Sequence, residues 1–339
     1  MYEDVVRPIF FSFDPEWIHD RAMNFLSVIS NFELANALAY KVAGYENKNL
    51  ERKLFGLTFP NPIGLSAGFD KSIKAPLSYG ALNFGFAEMG SVTFKPQSGN
   101  PRPRLWRLPE DKGLVVFYGL NNPGAVAARE RLLKAQESGY KKSPIGISIA
   151  RSTETTEEET VNDYFESFKL LAPVADFVTI NVSCPNVAGY TELQNKKFLN
   201  GVLEKIQNYN LKKTKKPIFV KVGSDDLEKL EQSVKTMIKY DVQAVTISNL
   251  IKGKRPKLLS ANADKKGGVS GKPLEKQANR AIKLIAEKYG KKIKIIGVGG
   301  VFSAEDAQKK LNLGASLIQL ITGFIYNGPL SIREIAKGL

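Results

Sequence analysis

From about residue 60 onward, short β-branched and aliphatic runs alternate with longer stretches in which apolar residues recur at helical spacing. The short runs predict strands near 62–67, 84–91, 144–149, 177–182, 217–222, 243–248, 293–297 and 316–320. Most of the gaps carry a helical pattern. The clearest opens at Ser303-Ala304-Glu305-Asp306, a capping box with Asp in the acid position, and closes at Gly314. Before the first strand, residues 52–55 and 57–59 read as a hairpin turning at Gly56. Eight short strands separated by helices predict an α/β fold, a closed (β/α)8 TIM barrel, with a doubly wound open sheet as the fallback.

Residues 1–45 follow a different pattern. Asp14-Pro15-Glu16 is a helix start, with an N-cap, a proline at the first position and an acid in the first turn. Ile18, Ala22, Phe25, Leu26 and Ile29 then recur at helical spacing, with Asp20, Arg21 and Asn24 on the other side. A second helix follows Ser30-Asn31, carries Leu34, Ala35, Leu38 and Val42, and ends at Gly44. Two amphipathic helices in tandem either pack on the barrel or lie on a membrane with their apolar faces down. Phe10, Phe11, Phe13 and Trp17 favour the membrane. The division expected is 1–45 as an amphipathic segment and 46–339 as the barrel.

Composition narrows the function classes. The chain has 339 residues, one cysteine, one histidine and a net charge of +15. One cysteine excludes an internal disulfide and suits a reducing compartment, and with a single His19 it argues against a His/Cys metal site. No run approaches a membrane span, and the N-terminus lacks a signal-peptide pattern. The basic residues are dispersed and form no nucleic-acid motif. An anionic membrane surface, phosphate-bearing ligands or a solvated lysine-rich surface all account for the charge.

Chemistry concentrates where a barrel would place it, at the C-terminal ends of the strands. The first strand ends in Ser66-Ala67-Gly68 and leads to Asp70-Lys71, and the second ends in Gly90-Ser91-Val92-Thr93. The fourth ends in Asn181-Val182-Ser183-Cys184-Pro185-Asn186, where a buried strand stops in a thiol and amides. The fifth ends in Lys221 and the sixth in Ser248-Asn249. The seventh and eighth lead into Gly297-Val298-Gly299-Gly300 and Thr322-Gly323, whose backbone amides suit a phosphate. Lys221, at the end of a buried strand, needs a salt-bridge partner, a phosphate or an electron-rich ring.

Taken together, these motifs resemble the dihydroorotate dehydrogenase family of FMN flavoproteins. The carriers are Asp14-Pro15-Glu16, residues 61–71 (NPIGLSAGFDK), Gly99-Asn100 with Pro103-Arg104-Leu105, residues 181–186 (NVSCPN), residues 267–271 (GGVSG), residues 296–300 (IGVGG) and Gly323-Phe324. The N-terminal helices resemble those of the membrane-associated, quinone-using branch. The resemblance implies oxidation of dihydroorotate to orotate in pyrimidine synthesis: a proton leaves C5 and a hydride passes from C6 to the flavin. It further implies a quinone acceptor and peripheral attachment to the cytoplasmic side of the cell membrane. Ala67, Gly68, Ser91, Asn181, Lys221, Ser248, Gly271, Gly300 and Thr322 match positions that hold FMN, and Ser148 stands where the family has an FMN-binding asparagine. Lys71, Asn181, Asn186 and Asn249 match substrate positions, and Cys184 matches the catalytic base. A thiol suits that role because its ordinary pKa is nearer neutral than a hydroxyl's.

The chain departs from the pattern in places. Cys184 is the base of the soluble branch, whereas the membrane branch carries serine. Val116 replaces a substrate-binding asparagine, Leu250 a threonine and Ile321 an aromatic residue. Asn121 or Asn122 is a candidate to compensate for Val116. A paralogous FMN dehydrogenase acting on another cyclic or enoic substrate is the alternative reading. Residues 187–197 are a candidate lid.

Overall fold

The computed structural model describes residues 2–137, 140–183 and 196–339. A short hairpin, β1 (Arg52–Leu54) and β2 (Leu57–Phe59), precedes the barrel. It turns at Phe55 and Gly56, whose φ angles of 58° and 74° both require the left-handed region. The barrel strands are β3 (Ile63–Leu65), β4 (Phe86–Val92), β7 (Ile145–Ile149), β8 (Phe177–Asn181), β9 (Ile218–Val222), β10 (Ala244–Ile247), β12 (Lys294–Val298) and β13 (Leu317–Leu320). All eight pair in parallel, in the closed order β3-β4-β7-β8-β9-β10-β12-β13. Each lies within a residue or two of a strand expected from the sequence. Around them stand α4 (Ser78–Ala81), α5 (Gly124–Glu137), α6 (Thr160–Leu171), α7 (Lys196–Lys213), α8 (Leu227–Lys239), α9 (Glu275–Tyr289), α10 (Ala304–Asn312), α11 (Thr322–Asn327) and α12 (Ser331–Lys337). The capping box of α10 is present, with Asp306 N–H donating to Ser303 Oγ at 3.3 Å and the Asp306 carboxylate accepting from Ser303 N–H at 3.2 Å.

The two ends of the barrel differ because one is filled. At the N-terminal end the rings of Phe59, Phe86, Phe177 and Phe219 pack as a plug, at centroid distances of 5.4, 6.2 and 4.8 Å along the series. Gly64 and Gly146 make room for it: a Cβ on Gly146 would lie 2.0 Å from the Phe177 ring. The hairpin lies beneath, and Phe55 packs 4.9 Å from Phe219. The open end is therefore the C-terminal one.

Over the open end lies a feature the hydrophobic pattern did not predict. Strands β5 (Leu105–Leu108), β6 (Gly113–Val116) and β11 (Gly268–Gly271) form a second, antiparallel sheet in the order β11-β6-β5. Val116 pairs with both Leu105 and Gly268.

The N-terminal segment is longer than the expected helix pair. A π-helical turn, Tyr2–Val6, and a short helix α1 (Arg7–Phe11) precede α2 (Pro15–Asn31) and α3 (Glu33–Ala43). Asp14 caps α2 by accepting from Trp17 N–H at 2.8 Å. Asn36, fully buried, donates to Ile29 O at 2.9 Å and so joins α3 to the end of α2. The acid expected merely to favour the first turn does more: Glu16, 4% exposed, pairs with Arg104 at 2.9 Å and with Arg102 at 3.0 Å. The apolar faces are also turned differently from the sequence pattern. Met23 and Leu26 face the barrel, whereas Phe25 is 66% exposed, and Leu34, Leu38 and Val42 of α3 point to solvent. Among the described residues fifteen large apolar side chains are exposed, and eleven of these lie between Val5 and Val42. No helix among the described residues is long and apolar enough to cross a membrane.

Candidate active site

The open end of the barrel holds a cavity of about 1240 Å³, its mouth included. Ala67, Gly68 and Lys71 reach it from the loop after β3, Ser91 from β4, Asn181 from β8 and Lys221 from β9. Ser248 and Asn249 line it after β10, and Gly271, Gly300 and Thr322 line its far end. Eleven of the residues expected to bind cofactor or substrate thus converge on one space. Ser148 stands one layer behind: it is fully buried and its Oγ lies 2.8 Å from Ser91 Oγ. Cys184, Asn186 and residues 187–195 of the candidate lid at 187–197 lie outside the described residues, and the last two positions of that stretch open α7.

The polar end is a connected network. Asn181 donates from Nδ2 to Ser91 Oγ at 2.8 Å, and its Oδ1 accepts from Ser183 N–H at 3.1 Å. Lys221, 5% exposed, donates to Ser66 Oγ at 2.9 Å. Ser248 Oγ lies 2.6 Å from Ser224 Oγ, and Ser224 in turn accepts from Gln277 Nε2 at 3.0 Å. Asn249 turns its amide on the chain itself: Nδ2 donates to Ser183 O at 2.8 Å and Oδ1 accepts from Leu250 N–H at 2.8 Å. It ties the end of β10 to the segment that leads into Cys184. These bonds restrict the rotamers of the side chains before any ligand arrives.

Neither asparagine proposed to compensate for Val116 does so. Asn121 donates to Ser98 O at 2.7 Å and is absent from the cavity wall. Asn122 is buried, with Oδ1 accepting from Thr93 N–H and Gly124 N–H at 3.1 and 2.8 Å. Val116 and Leu250 both line the cavity, and Leu250 packs over Gly268, the β11 partner of Val116. Two alkyl groups therefore line the cavity where the family pattern has polar ones.

The glycine end fits a phosphate. Gly271, Gly299 and Gly300 have φ of 92°, 104° and 75°, which side chains rarely adopt. A Cβ on Gly300 would lie 2.5 Å from Glu275 Cβ, and one on Gly323 would lie 2.1 Å from Val301 O. The loop backbones consequently approach the cavity with no side chain in the way. Gly68 offers similar access from the other wall, where an added Cβ would meet only Ile321 at 3.5 Å.

Three ionisable groups on the cavity wall are perturbed or engaged. Burial lowers Lys71 to about 8, opposed by the charge of Glu16. Its ammonium donates to Gly68 O at 2.6 Å and lies 3.7 Å from the centroid of the Tyr118 ring. His19, on α2, is lowered to about 3, by burial first and then by Lys71, and its ring meets Phe69 edge-on at 5.1 Å. Burial pushes the Tyr118 phenol up. Neither His19 nor Tyr118 is legible in the sequence as a wall residue, because only the tertiary docking of α2 and of the second sheet brings them there.

The Dihydroorotate dehydrogenase family model matches residues 49–339. The chain belongs to the dihydroorotate dehydrogenase family. A curated relative from Nostoc punctiforme, named dihydroorotate dehydrogenase (quinone), is 40% identical over 352 residues, covering 100% of this chain and 93% of the relative. Another of the same name, from Christiangramia forsetii, is 40% identical over 338 residues, covering 99% and 97%. Among solved structures, the dihydroorotate dehydrogenase of Eimeria tenella in complex with ferulenol superposes with a TM-score of 0.87 at 28% identity, covering 96% of this chain and 90% of that one. Members of this family are flavin enzymes, and the cavity described above is where a flavin fits: a glycine-lined end for a phosphate and a polar end for a ring.

Proposed function

We propose that this protein oxidises dihydroorotate to orotate with FMN as its flavin and passes the electrons to a quinone. The observation that carries the reading is the convergence of Lys71, Asn181, Lys221 and the glycine loops on one cavity, in a chain whose relatives bear that name. Bound FMN would supply the hydride acceptor. Gly271, Gly300 and Thr322 would hold its phosphate, with Ala67, Gly68, Ser91, Lys221 and Ser248 along its ring and ribityl chain and Ser148 bracing Ser91. Lys71 neutralises the substrate carboxylate, while the amides of Asn181 and Asn186 meet ring groups that both donate and accept. Asn249 acts by fixing the segment ahead of the base. Cys184, as thiolate, removes the carbon-bound proton.

The exposed apolar face of residues 5–42 supports peripheral membrane attachment on the cytoplasmic side, where residues 1–45 would admit the quinone. The test is anaerobic: adding dihydroorotate to purified yellow protein bleaches the flavin, and orotate appears in equal amount. A protein that takes up FMN yet is not bleached is a flavoprotein for another substrate. The Val116–Leu250 patch favours that second reading, since it offers alkyl groups where a pyrimidine edge offers donors and acceptors. Cys184→Ala keeps FMN content unchanged and slows bleaching by at least 100-fold.

A further inference from the structure

The Tyr118 ring, 7% exposed, has two cations over it: the Lys71 ammonium 3.7 Å from its centroid and the Arg104 guanidinium carbon 5.0 Å from it. Arg104 is in turn held by Glu16 of α2 at 2.9 Å. The phenol oxygen has no hydrogen-bond partner among the described residues. The ring face, and not the hydroxyl, makes the contacts that matter.

The charge of Lys71 needs support of a particular kind. Among the described residues no carboxylate forms an ion pair with it. The nearby acids are already engaged: Glu16 by Arg104 and Arg102, Asp20 by Arg102, and Asp70 by the N–H groups of Lys74 and Ala75 at 2.9 Å. A carboxylate bound to the ammonium would compete with an anionic substrate. A ring face stabilises the cation without neutralising it and occupies none of its three donors. One donor goes to Gly68 O at 2.6 Å, which leaves two for a ligand.

We propose that Tyr118 is the positioning residue for Lys71: its ring holds the ammonium, still charged, at the cavity wall so that it can bind the carboxylate of the substrate. This rests on the reading that Lys71 binds that carboxylate. The chain Glu16–Arg104–Tyr118–Lys71 then links the docking of α2 to the substrate site. The groups facing Lys71 are Glu16, His19 and Asp20 from α2, Asp70 from its own loop, Arg104 and Tyr118. Removing the ring takes away a contact that favours the charged form, so burial and Arg104 are then opposed only by Glu16, Asp70 and Asp20, and the Lys71 pKa falls further.

The experiment titrates FMN-loaded protein with orotate and follows the flavin absorption band, for wild type, Tyr118→Leu and Tyr118→Phe. The leucine variant should bind orotate ~10-fold more weakly, as expected for loss of a desolvated cation–π contact. Its rate of flavin reduction at saturating dihydroorotate should stay within about twofold of wild type, and its affinity should begin to fall at a lower pH. The phenylalanine variant should match wild type in affinity and in pH profile. Equal affinity in all three proteins, or a phenylalanine variant as weak as leucine, overturns the proposal. If the leucine variant loses its flavin, the phenylalanine variant alone decides, and weak orotate binding by it overturns the proposal. Wild-type protein that shows no orotate response refutes the activity proposed above, an outcome distinct from a response that Tyr118 does not affect.

Discussion

His19 and Lys71 show how one side chain's burial sets the pH range in which the cavity works. The folded pKa of His19 lies at about 3, below the ordinary 6.5. Below pH 6.5 the unfolded chain takes up a proton that the folded chain refuses, so this group makes the protein less stable as pH falls. His19→Gln should flatten that acid-side decline in melting temperature between pH 7 and pH 4. An equal decline in both proteins would place the loss elsewhere. In the folded enzyme the lone imidazole should show no titration between pH 5 and 8 by proton NMR. Lys71 titrates in the opposite sense for binding. Its charge is present below about 8 and lost above it, so orotate affinity should be constant near neutrality and weaken as pH rises through 8 to 9. An affinity unchanged up to pH 10 would mean that another cation binds the carboxylate.

At the scale of elements, the barrel was largely legible in the chain and the structures laid over it were not. Most strands of the barrel are short buried runs rich in aliphatic residues and bounded by polar or glycine residues, which is a local signal. The second sheet gives no such signal. Its strands have four residues each, and β11 pairs with a strand some 150 positions earlier, so only the closed fold brings them together. The Glu16–Arg104 pair joins residues 88 apart, so in the sequence Glu16 carries only the signal of a helix-start acid. Lys310 looks in sequence like a solvated helix lysine, yet it is fully buried and donates to Asn279 Oδ1 at 2.6 Å. Of the site, the glycine loops and strand-end amides were legible because they lie in contiguous motifs, whereas His19 and Tyr118 arrive from elements docked later.

Glu16→Gln leaves Arg104 buried without a counter-charge, so it should destabilise the protein by about 3 kcal/mol in denaturant unfolding and loosen α2. A loss under 1 kcal/mol would mean that Ser98 O and Asn100 O, which also accept from Arg104 at 2.8 Å each, suffice for the guanidinium. Gly323→Ala puts a methyl group against Val301 O and should abolish FMN uptake while the apoprotein's far-ultraviolet dichroism stays unchanged.

Over the whole molecule, the distribution of apolar surface is lopsided. A barrel buries its aliphatic residues within and between its layers, and among the described residues only Val126, Leu211, Leu259 and Leu330 are large, apolar and exposed outside the N-terminal segment. Within that segment α2 packs Met23 and Leu26 on the barrel and leaves Phe25 and Val28 outside, continuous in sequence with Phe32, Leu34, Leu38 and Val42. Each such side chain, buried in lipid, gains about 1.5–3 kcal/mol, so four or five suffice for attachment without a spanning helix. The net charge of +15 adds attraction to anionic headgroups. The full-length protein should therefore co-sediment with phosphatidylglycerol vesicles, and 0.5 M salt should reduce binding without abolishing it, because the apolar contribution is not screened. Replacing Phe25, Leu34 and Leu38 together by serine removes side chains that are mostly exposed in the fold. That variant should keep its flavin and its melting temperature, lose vesicle binding and need a higher concentration of a long-chain quinone, while a short water-soluble quinone is reduced as before. If vesicle binding survives these substitutions and disappears in salt, the basic surface alone holds the protein to the lipid, and the exposed helices have another partner.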